Sequence, residues 1–250
     1  KIINTSILSF NPIWHKIIYN HSPQFVLKDI KNKKIHNVER LGKYIIIKLN
    51  NRYIAFHLRM TGHLYNTNNL QDKKKYIRCY FTLDNNTILI YEDMRKFGGF
   101  YYLKNLNLIN NKLGIDPYNK KFNLSWLRCN MKTKNRQIKS LFLDQKFICG
   151  LGNIYIDEIL WQSKIHPLRI SSTLNKKEII SLYKNILNTL DNSIKYHGTT
   201  IINFKFDNMK TGGYGNYLNV YGKTNQKCSF CSKNIIKLKV SGRGTHICEH

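Results

Sequence analysis

The sequence predicts an α+β fold with an antiparallel β-sandwich in its first half, helices in its second and a metal-bound β-hairpin at its end. Three observations carry that prediction. Residues 35–104 are built from β-branched and aromatic runs separated by polar turns, residues 138–196 repeat apolar side chains every three or four positions, and Cys228, Cys231 and Cys248 crowd the tail.

The elements follow in order. The runs Lys43 to Asn50 and Arg52 to Leu58 meet at Asn50-Asn51, a hairpin by composition, and Tyr80 to Leu83 meets Thr87 to Tyr91 across Asp84-Asn85-Asn86. Asp116-Pro117 and the polar run Tyr118 to Phe122 mark a boundary, after which the period becomes helical. Ile138, Leu141, Phe142 and Gln145 share one helix face, and Ile154 to Trp161 forms another helix behind Gly150 and Gly152. The longest helix is expected over Lys176 to Tyr196, where Ile179, Tyr183, Ile186, Leu190 and Ile194 form one stripe. Asn175 and Glu178 make its capping box, and Gly198 its stop. In the tail, Ile235 to Val240 and Thr245 to Cys248 flank Ser241-Gly-Arg-Gly244, which places Arg243 at a hairpin tip. Three segments result: a β-sandwich domain over 1–117, a helical domain over 118–200 and a loop with the hairpin over 201–250.

Charge narrows the function. The 250 residues contain 41 Lys and Arg against 14 Asp and Glu, a net charge of +27, and a surface this basic binds polyanions before any motif is considered. Heavy use of Ile, Asn and Lys weakens any single lysine as a signal, so position has to decide. No stretch approaches the roughly 18 apolar residues of a membrane helix, and no small-residue cleavage site follows the N-terminal residues. Cys79, Cys129 and Cys149 are scattered singly and are expected to be buried small hydrophobes in a reducing compartment, which points to the cytoplasm.

Two local motifs carry chemistry. Cys228-x-x-Cys231 is followed, after sixteen intervening residues, by Cys248, the knuckle spacing of a structural zinc site. The fourth ligand is expected one place past His250, with His246 or His250 as substitutes. Gly150-Leu-Gly-Asn153 opens a helix whose first N–H groups face an approaching anion, with the Asn153 amide as an added donor.

Together these motifs resemble one family. Gly150 to Pro167 resembles the helix-two-turn-helix signature of formamidopyrimidine-DNA glycosylases, and Val240-Ser-Gly-Arg-Gly-Thr-His246 with its flanking cysteines resembles that family's zinc finger. Arg40-Leu-Gly-Lys-Tyr44, His57-Leu-Arg-Met-Thr-Gly62 and Asp93-Met-Arg-Lys-Phe-Gly98 are similar to its N-terminal motifs, in the same order. The resemblance implies a DNA glycosylase and abasic-site lyase of base-excision repair. Such an enzyme removes 8-oxoguanine and formamidopyrimidines from double-stranded DNA and cleaves the strand by β,δ-elimination, as a monomer with one structural Zn2+. It implies catalytic roles for Lys43 and Arg243 at the lesion phosphates. Met60, Arg95 and Phe97 would enter the duplex where the damaged nucleotide has left it. Lys134, Lys139 and Asn153 would contact the DNA backbone, Tyr76 stands where the family has a DNA-contacting histidine, and Lys210 falls in the loop over the flipped base. Arg59 stands for a glycine and Met94 for a proline. The family's N-terminal proline nucleophile and following glutamate have no counterpart here and are expected ahead of Lys1. A catalytically decayed DNA-binding module and an endonuclease VIII-like oxidised-pyrimidine glycosylase are the alternatives.

Overall fold

The structure is a computed structural model and describes residues 1–70, 75–200 and 211–249. The chain packs as two units, one from Lys1–Asn110 and the other from Asn111–Thr200 with the stretch after Gly212.

The first unit is a sandwich of two antiparallel four-stranded sheets. Its strands are β1 (Ile7–Pro12), β2 (Ile35–Leu41), β3 (Tyr44–Leu49), β4 (Tyr53–His57), β5 (Gly62–Thr67), β6 (Ile77–Leu83), β7 (Ile88–Asp93) and β8 (Gly99–Leu103). One sheet runs β1-β6-β7-β5 and the other β2-β3-β4-β8. Both expected hairpins form, β3 with β4 and β6 with β7. The inward faces interdigitate aromatic rings: Phe10 stacks on Phe81 at 4.7 Å, and Phe56 lies 4.9 Å from Phe100. Helix α1 (Pro23–Ile30) was not legible as a helix. Its start is set by Ser22, whose Oγ accepts from Phe25 N at 3.3 Å, and by Pro23 in the first turn.

Topology, not local propensity, builds the functional end of this sandwich. The β4–β5 and β7–β8 connections each cross from one sheet to the other. The register sets His57 opposite Gly99 and Gly62 opposite Asp93, so residues 58–61 and 94–98 run side by side at one end.

The second unit contains α3 (Leu124–Lys132), α4 (Ile138–Leu143), α5 (Asn153–Gln162) and α6 (Lys176–Lys195), after the short α2 (Asn107–Asn110) that ends the first unit. The α6 capping box forms as expected, with Glu178 N donating to Asn175 Oδ1 at 3.0 Å and Asn175 N to Glu178 Oε2 at 2.7 Å. Ile138, Phe142, Ile156, Ile159, Ile179 and Ile186 make its core. Strands β9 (Ile236–Val240) and β10 (Arg243–Ile247) form the terminal hairpin. Its turn is Ser241-Gly242, both left-handed with φ of 50° and 73°. That two-residue geometry matches strand twist, and it corrects the expected tip: Arg243 is the exposed first residue of β10, opposite Val240.

Of the scattered thiols, Cys79 and Cys149 are buried as expected, whereas Cys129 is exposed on α3. No helix of the described residues is long and apolar enough to cross a membrane.

Candidate nucleic-acid interface

At the sandwich end, the side chain of Asp93 is fully buried and organises both crossing loops. Its Oδ1 accepts from the Thr61 hydroxyl and from Arg95 N, and its Oδ2 accepts from Gly98 N at 2.7 Å. Arg78 Nε donates to its backbone carbonyl at 2.7 Å. One side chain thus satisfies donors from both loops, and Arg95 N also reaches Thr61 Oγ1 at 3.2 Å. Gly98 has no room for a side chain, because a Cβ would lie 2.7 Å from the His57 carbonyl oxygen.

What these loops display is apolar and exposed. Met60 is 63% exposed and Phe97 53%. Arg95 joins them, its Nη1 at 3.3 Å from Met60 Sδ and its guanidinium 4.6 Å from the centre of the Phe97 ring. Two large apolar side chains held out over a buried, hydrogen-bonded carboxyl form an exposed apolar patch with a cation alongside. Arg59 and Lys96, which neighbour Met60, Arg95 and Phe97 in the chain, both adopt left-handed backbone, with φ of 54° and 58°. His57 packs edge-on against Tyr44 at 4.8 Å. Burial, then the charges of Arg59 and Lys43, pull its imidazole down to about 4, so it is neutral near pH 7.

In the second unit, the root of β10 is clamped to two helices. Lys139 Nζ donates to Asp157 Oδ1 at 2.5 Å, to Thr245 Oγ1 at 2.8 Å and to the Gly244 carbonyl at 3.4 Å. Asp157 Oδ2 accepts from His246 N at 2.9 Å, and Asn153 Nδ2 donates to the Gly244 carbonyl at 2.9 Å. Burial pulls the Lys139 ammonium down and pushes the Asp157 carboxyl up, each opposed by the other's charge. Next to Asp157, the buried Glu158 accepts from the backbone N–H groups of Asn219, Val220 and Tyr221 at 2.8–2.9 Å. Gly150, at φ 92°, turns the chain into α5.

The sulfurs of Cys228, Cys231 and Cys248 all lie within 4.8 Å of one another, with Cys231 and Cys248 at 3.2 Å. Those spacings bracket the ~3.8 Å edge of a tetrahedron with ~2.3 Å metal–sulfur bonds, so the trio can hold a metal ion. Phe230 N reaches Cys228 Sγ at 3.5 Å. Burial raises the Cys228 thiol, but the Phe230 N–H, the Trp161 indole and the neighbouring cysteines outweigh it and bring the thiol down to about 7. Such an environment favours the thiolate that a metal needs. His246 is not in this cluster. Its Nδ1 lies 3.5 Å from Asp157 Oδ2, and His250 lies outside the described residues.

Residues 1–100 match the Formamidopyrimidine-DNA glycosylase N-terminal domain, and residues 113–205 the Formamidopyrimidine-DNA glycosylase H2TH domain. The Formamidopyrimidine-DNA glycosylase of Lactobacillus acidophilus is 38% identical over 244 residues, 95% of this chain and 88% of its own length. The chain belongs to the formamidopyrimidine-DNA glycosylase family. The Protochlamydia amoebophila Formamidopyrimidine-DNA glycosylase is 36% identical, over 99% of this chain and 92% of its own length. Among solved structures, the Lactococcus lactis Fpg bound to abasic-site DNA superposes with a TM-score of 0.91 at 31% identity, covering 99% of this chain and 92% of that one. The same enzyme bound to Fapy-dG DNA gives 0.90 at 32%, with the same coverage.

Against the family motifs, the structure sorts the expected residues. Met60, Arg95 and Phe97 come together. Lys43 is exposed in the turn just ahead of β3, whose first residue pairs with His57, and Tyr76 is exposed just ahead of β6. Lys134 is exposed after α3, and its carbonyl accepts from Ser171 Oγ at 2.5 Å. Lys139 is a correction: at 0% exposure with its donors committed inside the fold, its ammonium does not present itself to a DNA backbone. Asn153 gives one amide hydrogen to Gly244 while its Oδ1 is buried without a partner. Lys210 lies outside the described residues.

Sequence reasoning missed Asp93 and Asp157. Each stood inside a quoted motif, but a carboxylate's burial and partners are set by distant chain segments. Glu158, in the same run as Asp157, is structural, because it accepts from three backbone N–H groups.

Proposed function

We propose that this chain carries base-excision DNA repair as a glycosylase and abasic-site lyase acting on oxidised purines, 8-oxoguanine and formamidopyrimidines, in double-stranded DNA. The observation that carries this reading is the exposed Met60, Arg95 and Phe97 wedge held over buried Asp93. Extruding a damaged nucleotide leaves a gap in the stack. Met60 and Phe97 fill it with apolar surface, and the Arg95 guanidinium donates to the base left without its partner.

The remaining roles are those the family resemblance implies. Lys43 and Arg243 are exposed cations that grip phosphates at the lesion and assist elimination, and Lys134, Tyr76 and the Asn153 helix start hold the flanking backbone. Lys210 belongs to the loop over the flipped base in this reading. Cys228, Cys231 and Cys248 hold one Zn2+ with a fourth ligand, and the ion's part is architectural: it closes the base of the hairpin. The hairpin in turn presents Arg243. The protein acts as a monomer in the cytoplasm, on the nucleoid of a bacterium or endosymbiont, with an organelle as the alternative compartment. Residues 1–117, 118–200 and 201–250 divide the work into wedge, backbone grip and lesion loop with finger.

The test is borohydride trapping of the full reading-frame product on a duplex carrying 8-oxoguanine opposite cytosine. An amine that attacks the sugar C1′ forms an iminium, which borohydride reduces to a stable protein–DNA adduct. The expected result is an adduct that mass spectrometry locates on an N-terminal amine. A folded protein that binds the duplex and yields no adduct overturns the reading in favour of a binding module. Faster excision of thymine glycol than of 8-oxoguanine would move it to the endonuclease VIII branch.

A further inference from the structure

The C-terminal end of α5 holds a polar atom that nothing in the proposed DNA chemistry uses. Trp161 packs its indole against Cys228, Val220 and Ile235, beside Cys231 and Cys248. Its Nε1 is buried without a hydrogen-bond partner, in the same packed cluster as Cys228. The ring is held in place from the other side. Phe230, inside the Cys228-x-x-Cys231 knuckle, stacks on it at 4.5 Å with 12° between the planes, and Lys164 Nζ caps Phe230 at 5.6 Å.

A buried donor without an acceptor is costly and is retained where some state of the protein satisfies it. A thiol is a weak acceptor. A thiolate is a strong one, and a metal ion converts the first into the second by displacing the proton. Mere aromatic packing would be served equally by a ring without an N–H.

We propose that Trp161 is an outer-shell hydrogen-bond donor to the metal-bound sulfur of Cys228, aligning that ligand and slowing metal loss. The proposal rests on the metal reading given above. Ligand orientation by such groups is general in metal sites, and their removal typically weakens the metal by about 10–100-fold.

The test compares the zinc-loaded full-length protein with Trp161→Phe, which keeps a ring against Phe230 and removes the N–H. Transfer of zinc to a chelator is expected to be about 10-fold faster in the variant. In the Co2+-substituted proteins, the sulfur-to-metal charge-transfer band is expected to move to longer wavelength, because the sulfur lone pair loses its stabilising donor. Neither readout depends on DNA or on activity. If both are unchanged in a protein that contains one zinc by elemental analysis, the proposal is overturned and the metal reading stands. If the wild-type protein carries no zinc, both fall. Should Trp161→Phe fail to fold, benzothienylalanine at position 161 replaces the N–H with sulfur in the same bicyclic shape and carries the same two measurements.

Discussion

Lys139 Nζ and Asp157 Oδ1 lie 2.5 Å apart with neither side chain exposed, and through this pair α4 and α5 hold the strand that begins with Arg243. A charge pair removed from water is retained only when its remaining valences are filled. Here Thr245, Gly244 and the His246 N–H fill them. Lys139→Met strands the Asp157 carboxylate and is expected to cost about 3–5 kcal/mol in chemical denaturation. Adding Asp157→Leu should recover most of that loss. A double variant as unstable as the single one would show that packing, not charge, sets the cost.

The two loops at the sandwich end depend on Asp93 in a different way. Asp93→Ala leaves the Thr61 hydroxyl and Gly98 N without their acceptor and Arg95 N with Thr61 Oγ1 alone, and is expected to destabilise the first unit by roughly 2–4 kcal/mol. In variants that remain folded, 8-oxoguanine excision should fall by about 100-fold while undamaged-duplex binding changes little, because a displaced wedge costs geometry rather than charge. Parallel losses in both assays would detach Asp93 from the wedge.

Met60→Ala separates wedge from grip. Excision of 8-oxoguanine should drop by at least about 10-fold, while the slope of log Kd against log salt stays that of the parent protein, since phosphates are held by cations elsewhere. A shallower slope would mean that Met60 supports a backbone contact instead.

His57 gives the pH prediction. Its folded pKa is pulled down to about 4 from the ordinary 6.5, by burial first and then by Arg59 and Lys43. A depressed imidazole binds its proton more readily in the unfolded chain, so its contribution to stability is full above about pH 6.5 and is lost as the pH falls toward 4. Titration of the His57 ring by NMR should give a midpoint near 4, and Lys43→Ala should raise it. A midpoint at 6.5 would place the ring in open solvent.

Much was legible before any coordinates. The hairpins at residues 43–58 and 80–91, the helix behind the Asn175–Glu178 capping box and the three-cysteine tail are short-range signals: alternation, period and spacing act within a few residues of one another. The motif order was enough to bring Met60, Arg95 and Phe97 forward together. Helices α1 and α3 were not legible, because their apolar faces are short and are completed by packing against other elements.

The sequence by itself determined the fold class, the basic surface and the metal-ligand spacing, all of which depend on residue type and local separation. Met60, Arg95 and Phe97 came forward only through the resemblance to the family's motifs. Tertiary structure alone decided which charges are buried. Lys139 reads like any other lysine in a lysine-rich chain, and only the approach of β10, more than a hundred residues later, turns it into an internal clamp. Asp93 likewise becomes an anchor because sheet register sets Gly62 and Gly99 beside the two crossing loops. Desolvation and hydrogen-bond completion depend on what the folded chain brings near a group, and that information is non-local in the sequence.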